Sequence, residues 1–319
     1  MRVRIRLSGG KDNPTVRFRA LPICEDLGRR GWDVGIWSGT EEADVIVLQW
    51  GAFDAQKASA KAPWVIFDCN DAVFLDELAW QGNAGDNLCF VDYFLGASPR
   101  ITEHLERRFG KHRVSYIPDV VEPHWFDLHP QPHDGMRLIW TGMHDNLHLF
   151  EIMRPALEEL ARRRDFTLVI VTSTHGSDKK SNAERAASLP CPVDFYPWSP
   201  EAIRREVARA DIGLAPLPAN EWCTCKSPNK PAMFGAGLLP VVVSDIPSYR
   251  ELTDDGKLGA IARDPGEWVT ELEALMDDPE RREREGHLLR ERVRRLYSRE
   301  RIADLWETAL TELTEWHPH

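Results

Sequence analysis

Short apolar runs, each ended by polar or glycine residues, recur along the first third of the chain. Continuous runs of this kind are typical of strands that are buried on both faces, as in parallel sheets. The stretches at 21–30 and 98–109 carry helix signals, with a proline in the first turn and a glycine just after the end. The pattern predicts an α/β unit with strands at 2–7, 32–37, 44–49, 64–67, 90–95 and 114–117.

The alternation of strand and helix patterns restarts after a break at residues 122–136. The break is rich in proline, histidine and aspartate and has no periodicity, so we interpret it as a linker. Further strands are predicted at 136–141, 166–171, 193–196, 211–215, 241–245 and 258–262, with helices at 146–163 and 200–209. We therefore predict two doubly wound α/β domains, at 1–134 and 135–297. A final helix at 298–319 has an apolar face that requires a partner surface.

Composition and charge narrow the function classes. The chain has 319 residues and a net charge of -11, which argues against a nucleic-acid-binding protein. It shows neither a long apolar stretch nor a signal-peptide pattern, so we expect a cytoplasmic protein. Peripheral membrane contact through the arginine-rich stretch at 279–297 is the alternative to a simple solvated helix there.

No metal site is predicted. Cys223 and Cys225 are too close in sequence for an ordinary zinc pair, and no second pair follows. His144 and His148 have a spacing that suits one face of a helix, but no third ligand is evident. We therefore expect neither a metal nor another cofactor.

The loop and helix start at 226–240 are the best candidate for an anion site. Lys226 and Lys230 flank a Ser-Pro-Asn segment, and small residues follow. Backbone N–H groups and the positive end of a helix dipole attract anions, and lysine adds a point charge for phosphate. The alternative is a basic loop before a buried helix and strand.

A second candidate lies directly after the strand at 64–67. Asp68, Asn70 and Asp71 lie at its carboxyl end, where parallel sheets place ligands. A carboxylate there could accept the proton of a hydroxyl group. The alternative is an aspartate that caps a turn.

The order of several segments resembles the GT-B glycosyltransferases of the family 4 type, also described as glycosyl transferases group 1. The resemblance is carried by RLIWTG at 137–142, FYPW at 195–198, ADIGLAPL at 210–217 and the stretch at 226–251. The first half is similar only at short points such as Gly9-Gly10 and Ser98-Pro99. The resemblance implies two Rossmann-like domains facing across a cleft, with the C-terminal helix packing back on the N-terminal domain.

The family implies an enzyme that transfers a hexosyl or related sugar from a nucleotide-sugar donor, as in polysaccharide biosynthesis. The acceptor would be a glycan, a lipid-linked compound or a small molecule, bound by the N-terminal domain. The C-terminal domain would bind the donor. The usual family chemistry retains the anomeric configuration and requires no metal.

By resemblance, Lys226 and Lys230 would neutralise the donor diphosphate, on which negative charge grows as the glycosidic bond breaks. Ser227 and Asn229 would complete its cradle. Gly142 would let the diphosphate approach the loop after the first strand of the domain.

Four further residues are candidates. His144, beside Gly142, is a candidate for a hydrogen bond in the donor site. By resemblance, Trp198 would stack on the nucleotide base, with a half-buried core tryptophan as the alternative. Asp71 and Asp68 are the candidates for orienting or deprotonating the acceptor.

The sequence departs from the family at a glutamate pair that often binds the donor. Met233 stands at the second glutamate position, and the first falls near Cys225. This leaves open a catalytically silent GT-B protein that binds a sugar nucleotide or a partner subunit. A sugar-nucleotide epimerase is a further alternative, but the carboxylates and histidine that it needs are not recognisable.

Overall fold

The computed structural model describes residues 1–10, 13, 15–49, 54–73, 87–143 and 146–315. The chain divides into two compact units, which we call unit 1 and unit 2. Unit 1 comprises Met1–Glu122, Thr224–Ser227 and Leu296–His319, and unit 2 comprises Pro123–Cys223 and Pro228–Arg295. A short piece of the predicted anion loop therefore belongs to unit 1. The predicted domain boundaries after residues 134 and 297 stay predictions.

Unit 1 contains a parallel sheet of six strands: β1 (Arg2–Arg6), β2 (Asp33–Ile36), β3 (Val45–Gln49), β4 (Trp64–Cys69), β5 (Tyr93–Gly96) and β6 (Val114–Tyr116). Their order is β2-β1-β3-β4-β5-β6. All side chains of β3 are buried, which explains why it reads as an uninterrupted apolar run. The helices of this part are α1 (Leu21–Arg29), α2 (Ala55–Ser59) and α3 (Pro99–Phe109), with a π-helical turn at Val16–Ala20 and 3₁₀ turns at Leu88–Phe90 and Lys111–Arg113.

Unit 2 contains a second parallel sheet of six strands: β7 (Arg137–Thr141), β8 (Thr167–Thr172), β9 (Val193–Pro197), β10 (Ile212–Ala215), β11 (Val241–Ser244) and β12 (Ala260–Ala262). Their order is β12-β11-β10-β7-β8-β9. The chain thus adds β8 and β9 on one side of β7 and then adds β10, β11 and β12 on the other side. This is the Rossmann order, with its switch point between β7 and β10.

The helices of unit 2 cover the faces of this sheet. They are α4 (Arg154–Ala161), α5 (Asn182–Ala187), α6 (Pro200–Ala208), α7 (Glu221–Thr224), α8 (Asn229–Ala236), α9 (Pro247–Thr253), α10 (Pro265–Asp277) and α11 (Pro279–Tyr297). Two 3₁₀ segments, at Pro123–Trp125 and Asn146–Met153, complete the unit. The arginine-rich α11 is anchored by Leu289 and Val293, which are fully buried and line the position where a side chain at Gly235 would lie.

Two predicted elements were wrong in detail. The strand predicted at 90–95 begins later, because Leu88–Phe90 forms a 3₁₀ turn and β5 covers Tyr93–Gly96. The helix predicted at 146–163 is a 3₁₀ segment as far as Met153, and α4 starts afresh with Pro155 in its first turn. Proline has no N–H to donate to the preceding turn, so a continuous helix is interrupted there.

The last helix, α12 (Arg299–Glu315), packs on unit 1 as predicted. Its residues Ile302, Trp306 and Leu310 are buried in one apolar cluster with side chains of α1 and of the first sheet. Arg299 Nε donates to Asp26 Oδ2 of α1 at 2.7 Å. None of the helices in the described part of the chain is long and apolar enough to cross a membrane.

Candidate active site

The topology of unit 2 defines one edge where a ligand is expected. In an open α/β sheet, the crevice beyond the carboxyl ends of the strands at the switch point binds ligands. Gly142 directly follows β7 at this point. The chain that leaves β10 leads through α7 to α8, which begins with Asn229 and Lys230.

Trp140 connects the predicted donor residues on β7 and α8. Lys230 Nζ lies 5.4 Å from the centroid of the Trp140 ring, within cation–π range. A Cβ atom at Gly142 would lie 2.6 Å from Cζ2 of the same ring. Glycine is therefore required at this position to leave room for Trp140. The predicted reason, close approach of a diphosphate, stays a prediction.

Trp198 lies further along the same edge of the sheet. Its backbone N–H donates to the carbonyl oxygen of Thr172 at 2.8 Å. Thr172 Oγ1 in turn donates to the carbonyl oxygen of Gly142 at 2.8 Å. These hydrogen bonds connect the last residue of β8 to the segments that follow β7 and β9. Trp198 is 43% exposed, so its ring presents surface to solvent on which a base could stack.

The predicted diphosphate cradle is divided between the two units. Lys226 belongs to unit 1, where its Nζ lies 3.0 Å from Asp71 Oδ1 and 3.3 Å from Asp71 Oδ2. Ser227 Oγ donates to Asp119 Oδ2 at 2.9 Å, also within unit 1. The structure thus brings Lys226 to the candidate base. A contact of Lys226 or Ser227 with a diphosphate stays a prediction.

Asp68 is fully buried in an ion-pair cluster. Arg19 Nε donates to both of its carboxylate oxygens, at 3.1 and 3.0 Å, and Arg19 Nη1 donates to Asp119 Oδ1 at 2.9 Å. Burial lowers the pKa of Arg19, but the two carboxylates outweigh this effect and raise it above its usual range. Because Asp68 has no exposed surface and pairs with Arg19, it is suited to holding Arg19 in place. Asp71 is the better placed of the two catalytic candidates, because 28% of its side chain is exposed.

Among the residues that the structure describes, three buried polar atoms at the carboxyl edge of the first sheet find no hydrogen-bond partner. They are Ser8 Oγ, Gln49 Oε1 and Asn70 Oδ1. Gln49 Nε2 donates to Asp68 Oδ2 at 3.3 Å, which turns its oxygen away from that carboxylate. Ser8 and Gln49 lie at the ends of β1 and β3, the strands that flank the switch point of this sheet. Buried polar atoms without partners are rare, so these three atoms indicate a candidate site for a polar ligand. The hydrophobic periodicity of the sequence could not reveal this site.

From the sequence, Cys223, Cys225 and His144 are possible metal or donor-site residues. Within the described residues, no group of three or more histidine, cysteine, aspartate and glutamate side chains could hold a metal ion. Cys223 and Cys225 are buried, and the Cys225 carbonyl oxygen accepts a hydrogen bond of 2.7 Å from Ser98 Oγ. His144 lies outside the described residues, so its role in the donor site stays a prediction.

Residues 136–278 match the family model described as glycosyl transferases group 1. The match begins at the strand that opens the second sheet and extends through α10, so it includes the switch point described above. Residues 136–278 thus form a group 1 glycosyltransferase domain. No curated protein matches the sequence of the chain.

Solved structures share the fold of this glycosyltransferase along nearly its whole length. HepE from Anabaena, in complex with UDP and glucose, has a TM-score of 0.75 at 10% identity, and the match covers 98% of this chain and 99% of HepE. Sucrose-phosphate synthase from Thermosynechococcus elongatus has a TM-score of 0.69 at 14% identity, with 99% and 96% covered. TarM has a TM-score of 0.63 at 12% identity, but the match covers 83% of this chain and only 54% of TarM. These likenesses confirm the GT-B fold.

The predicted enzyme class is confirmed by the family match. The glycosyltransferase spans about half the length of TarM and nearly all of HepE and sucrose-phosphate synthase. Its donor, acceptor and stereochemistry are the subject of the proposal that follows.

Proposed function

We propose that this glycosyltransferase transfers a sugar from a nucleoside diphosphate sugar to an acceptor hydroxyl group, with retention of configuration and without a metal. The observation that carries the proposal is the position of Lys230 at the switch point of a unit that matches the family model. In the transfer, the bond from the anomeric carbon to the diphosphate breaks, and its electron pair leaves with the diphosphate. The acceptor oxygen then bonds to the same carbon and loses its proton.

The donor side of the reaction belongs to unit 2 in this proposal. Negative charge develops on the leaving diphosphate, and a lysine at a helix start is suited to stabilise it. Asn229 and Lys230 open α8, while Pro231 at the next position has no N–H to offer. Solved complexes of the structurally similar HepE contain UDP or UDP-glucose, which favours a uridine nucleotide as the first donor to test.

The acceptor side belongs to unit 1, with Asp71 as the group that accepts the hydroxyl proton. The Lys226 ammonium lies 3.0 Å from Asp71 Oδ1 and so restrains the position of the carboxylate. A glycan, lipid-linked or small-molecule acceptor fits this role. The polar atoms of Ser8, Gln49 and Asn70 at the same edge are suited to hydrogen-bonding hydroxyl groups.

The proposal is tested first by calorimetric titration of UDP, GDP, ADP, CMP and their sugar derivatives. We expect wild type to bind one nucleoside diphosphate and Lys230→Ala to bind it about tenfold to a hundredfold more weakly, since a hydrogen bond to a charged group is lost. Lys257→Ala is the matched control, because Lys257 is an exposed lysine of the same unit.

Turnover is then measured with the donor identified in this way. Transfer in the presence of a chelator, and a product with the donor's anomeric configuration by NMR, would support the mechanism. Equal affinities of wild type and Lys230→Ala would remove the donor-site assignment. Binding without hydrolysis or transfer would favour the silent sugar-nucleotide-binding protein, for which Met233 in place of glutamate is the specific argument.

A further inference from the structure

We propose that Trp140 is a positioning residue for Lys230, and that its ring holds the lysine ammonium where a nucleoside diphosphate binds. This inference rests on the proposed function and adds a residue to it. The central observation is the distance of 5.4 Å between Lys230 Nζ and the centroid of the Trp140 ring. Trp140 lies on β7 and Lys230 on α8, so the contact joins a strand at the switch point to the helix that precedes β11 in the chain.

The ring of Trp140 is held in a single place. The residue is 1% exposed, and its ring packs on Phe150 with centroids 5.3 Å apart. On another side, the absent side chain of Gly142 leaves space for Cζ2 and Cη2, which a Cβ atom there would approach to 2.6 and 2.7 Å. A ring fixed in this way can serve as a platform, because it has no alternative position to adopt.

An aromatic platform suits a lysine that must meet an anion. The face of an indole ring attracts a cation through its quadrupole but carries no net charge, so it restrains the ammonium without cancelling its charge. Lysine has a flexible stem, and restraining it before the ligand arrives reduces the entropy lost on binding. A carboxylate in the same place, such as Asp71 beside Lys226, would instead compete with the diphosphate for the ammonium group.

The test is a double-mutant cycle read by calorimetry. The ligand is whichever of UDP, GDP and ADP wild type binds most tightly. Because indole attracts cations more strongly than benzene and an aliphatic side chain has no π face, affinity should fall about threefold in Trp140→Phe and about tenfold in Trp140→Leu. In the Lys230→Ala background the same two changes should have no further effect.

Matched variants separate positioning from general damage to the core. Trp268 is a buried tryptophan of the same apolar cluster as Trp140, so Trp268→Phe and Trp268→Leu measure the effect of losing an indole ring elsewhere in unit 2. Lys230→Arg keeps a cation over the ring and should retain more affinity than Lys230→Ala. If Trp140→Leu does not fold, the cycle with Trp140→Phe decides alone.

Each outcome is decisive. An affinity loss in the Trp140 variants that persists undiminished without Lys230, or that equals the loss in the Trp268 variants, overturns the positioning role and leaves the proposed function standing. A wild type that binds none of the three diphosphates overturns both.

Discussion

Lys226 and Lys230 stand close together in the sequence, but their ammonium groups contact different kinds of partner. Lys226 Nζ lies 3.0 Å from a carboxylate oxygen of Asp71, and Lys230 Nζ lies over the ring of Trp140. A carboxylate neutralises a lysine, whereas an aromatic face does not. At the scale of single residues, the Trp140 ring is suited to restraining Lys230, and Lys226 is suited to orienting the base.

Replacing Asp71 tests the catalytic side of this division. Asp71→Asn keeps the size of the side chain but cannot accept a proton, so turnover should fall about a hundredfold to ten-thousandfold. Donor affinity, measured by calorimetry, should change little. Lys226→Gln is the control, since it removes the ion pair while keeping the carboxylate. An equal loss of turnover in both variants would show that the ion pair, and not proton transfer, was the important feature. Loss of folding in Asp71→Asn would instead favour the turn-capping alternative.

At the scale of elements, the sequence predicted the two parallel sheets well, because each strand is a short apolar run that periodicity detects. It failed at Leu88–Phe90 and Asn146–Met153, where 3₁₀ turns occupy apolar stretches. In the second stretch, which was predicted as an α-helix, the difference between hydrogen bonds to the third and the fourth preceding residue leaves almost no trace in apolar spacing. Gly142 is a related case. The space that this glycine leaves for the Trp140 ring depends on the orientation of the tryptophan side chain, which the sequence pattern does not show.

The link between β4 and β5 gives a prediction about pH. Asp92 Oδ2 accepts a hydrogen bond of 2.8 Å from the Val65 N–H. Burial raises the pKa of Asp92 above its usual range, against the effects of this hydrogen bond and of Arg113. The folded state therefore holds the Asp92 proton more tightly than the unfolded state does. The stability from this group is present below the ordinary carboxyl pKa and is lost as pH rises through the raised pKa.

Asp92→Asn removes this titration but keeps an oxygen that can accept from Val65. The free energy of unfolding of the variant, relative to wild type, should therefore rise as pH increases from about 4 towards neutrality. Urea denaturation at a series of pH values measures it. Asp255→Asn, at an exposed position, is the control. Parallel pH profiles for wild type and Asp92→Asn would contradict the assignment.

At the scale of the whole molecule, the chain returns to unit 1 twice after unit 2 has begun, at residues 224–227 and from residue 296 onward. The apolar stripe of the last helix predicted that it needs a partner, and the resemblance predicted which one. The return at 224–227 was not predicted, because its contacts, such as Lys226 with Asp71, join residues 155 positions apart. Neither periodicity nor motif spacing reports on contacts of that range.

The docked α12 gives the last prediction. Trp306 is 2% exposed and packs in the apolar cluster of unit 1, so Trp306→Ala should lower the free energy of unfolding by about 3–5 kcal/mol. Thr308→Ala, on the exposed side of the same helix, should cost far less. Because Asn229 and Lys230 lie in unit 2, the folded Trp306→Ala protein should bind the nucleoside diphosphate as tightly as wild type. Urea denaturation and calorimetry on the same samples measure both quantities. Similar stabilities of the two variants would show that α12 is not docked, whereas a parallel loss of affinity would show that unit 1 supports the donor site.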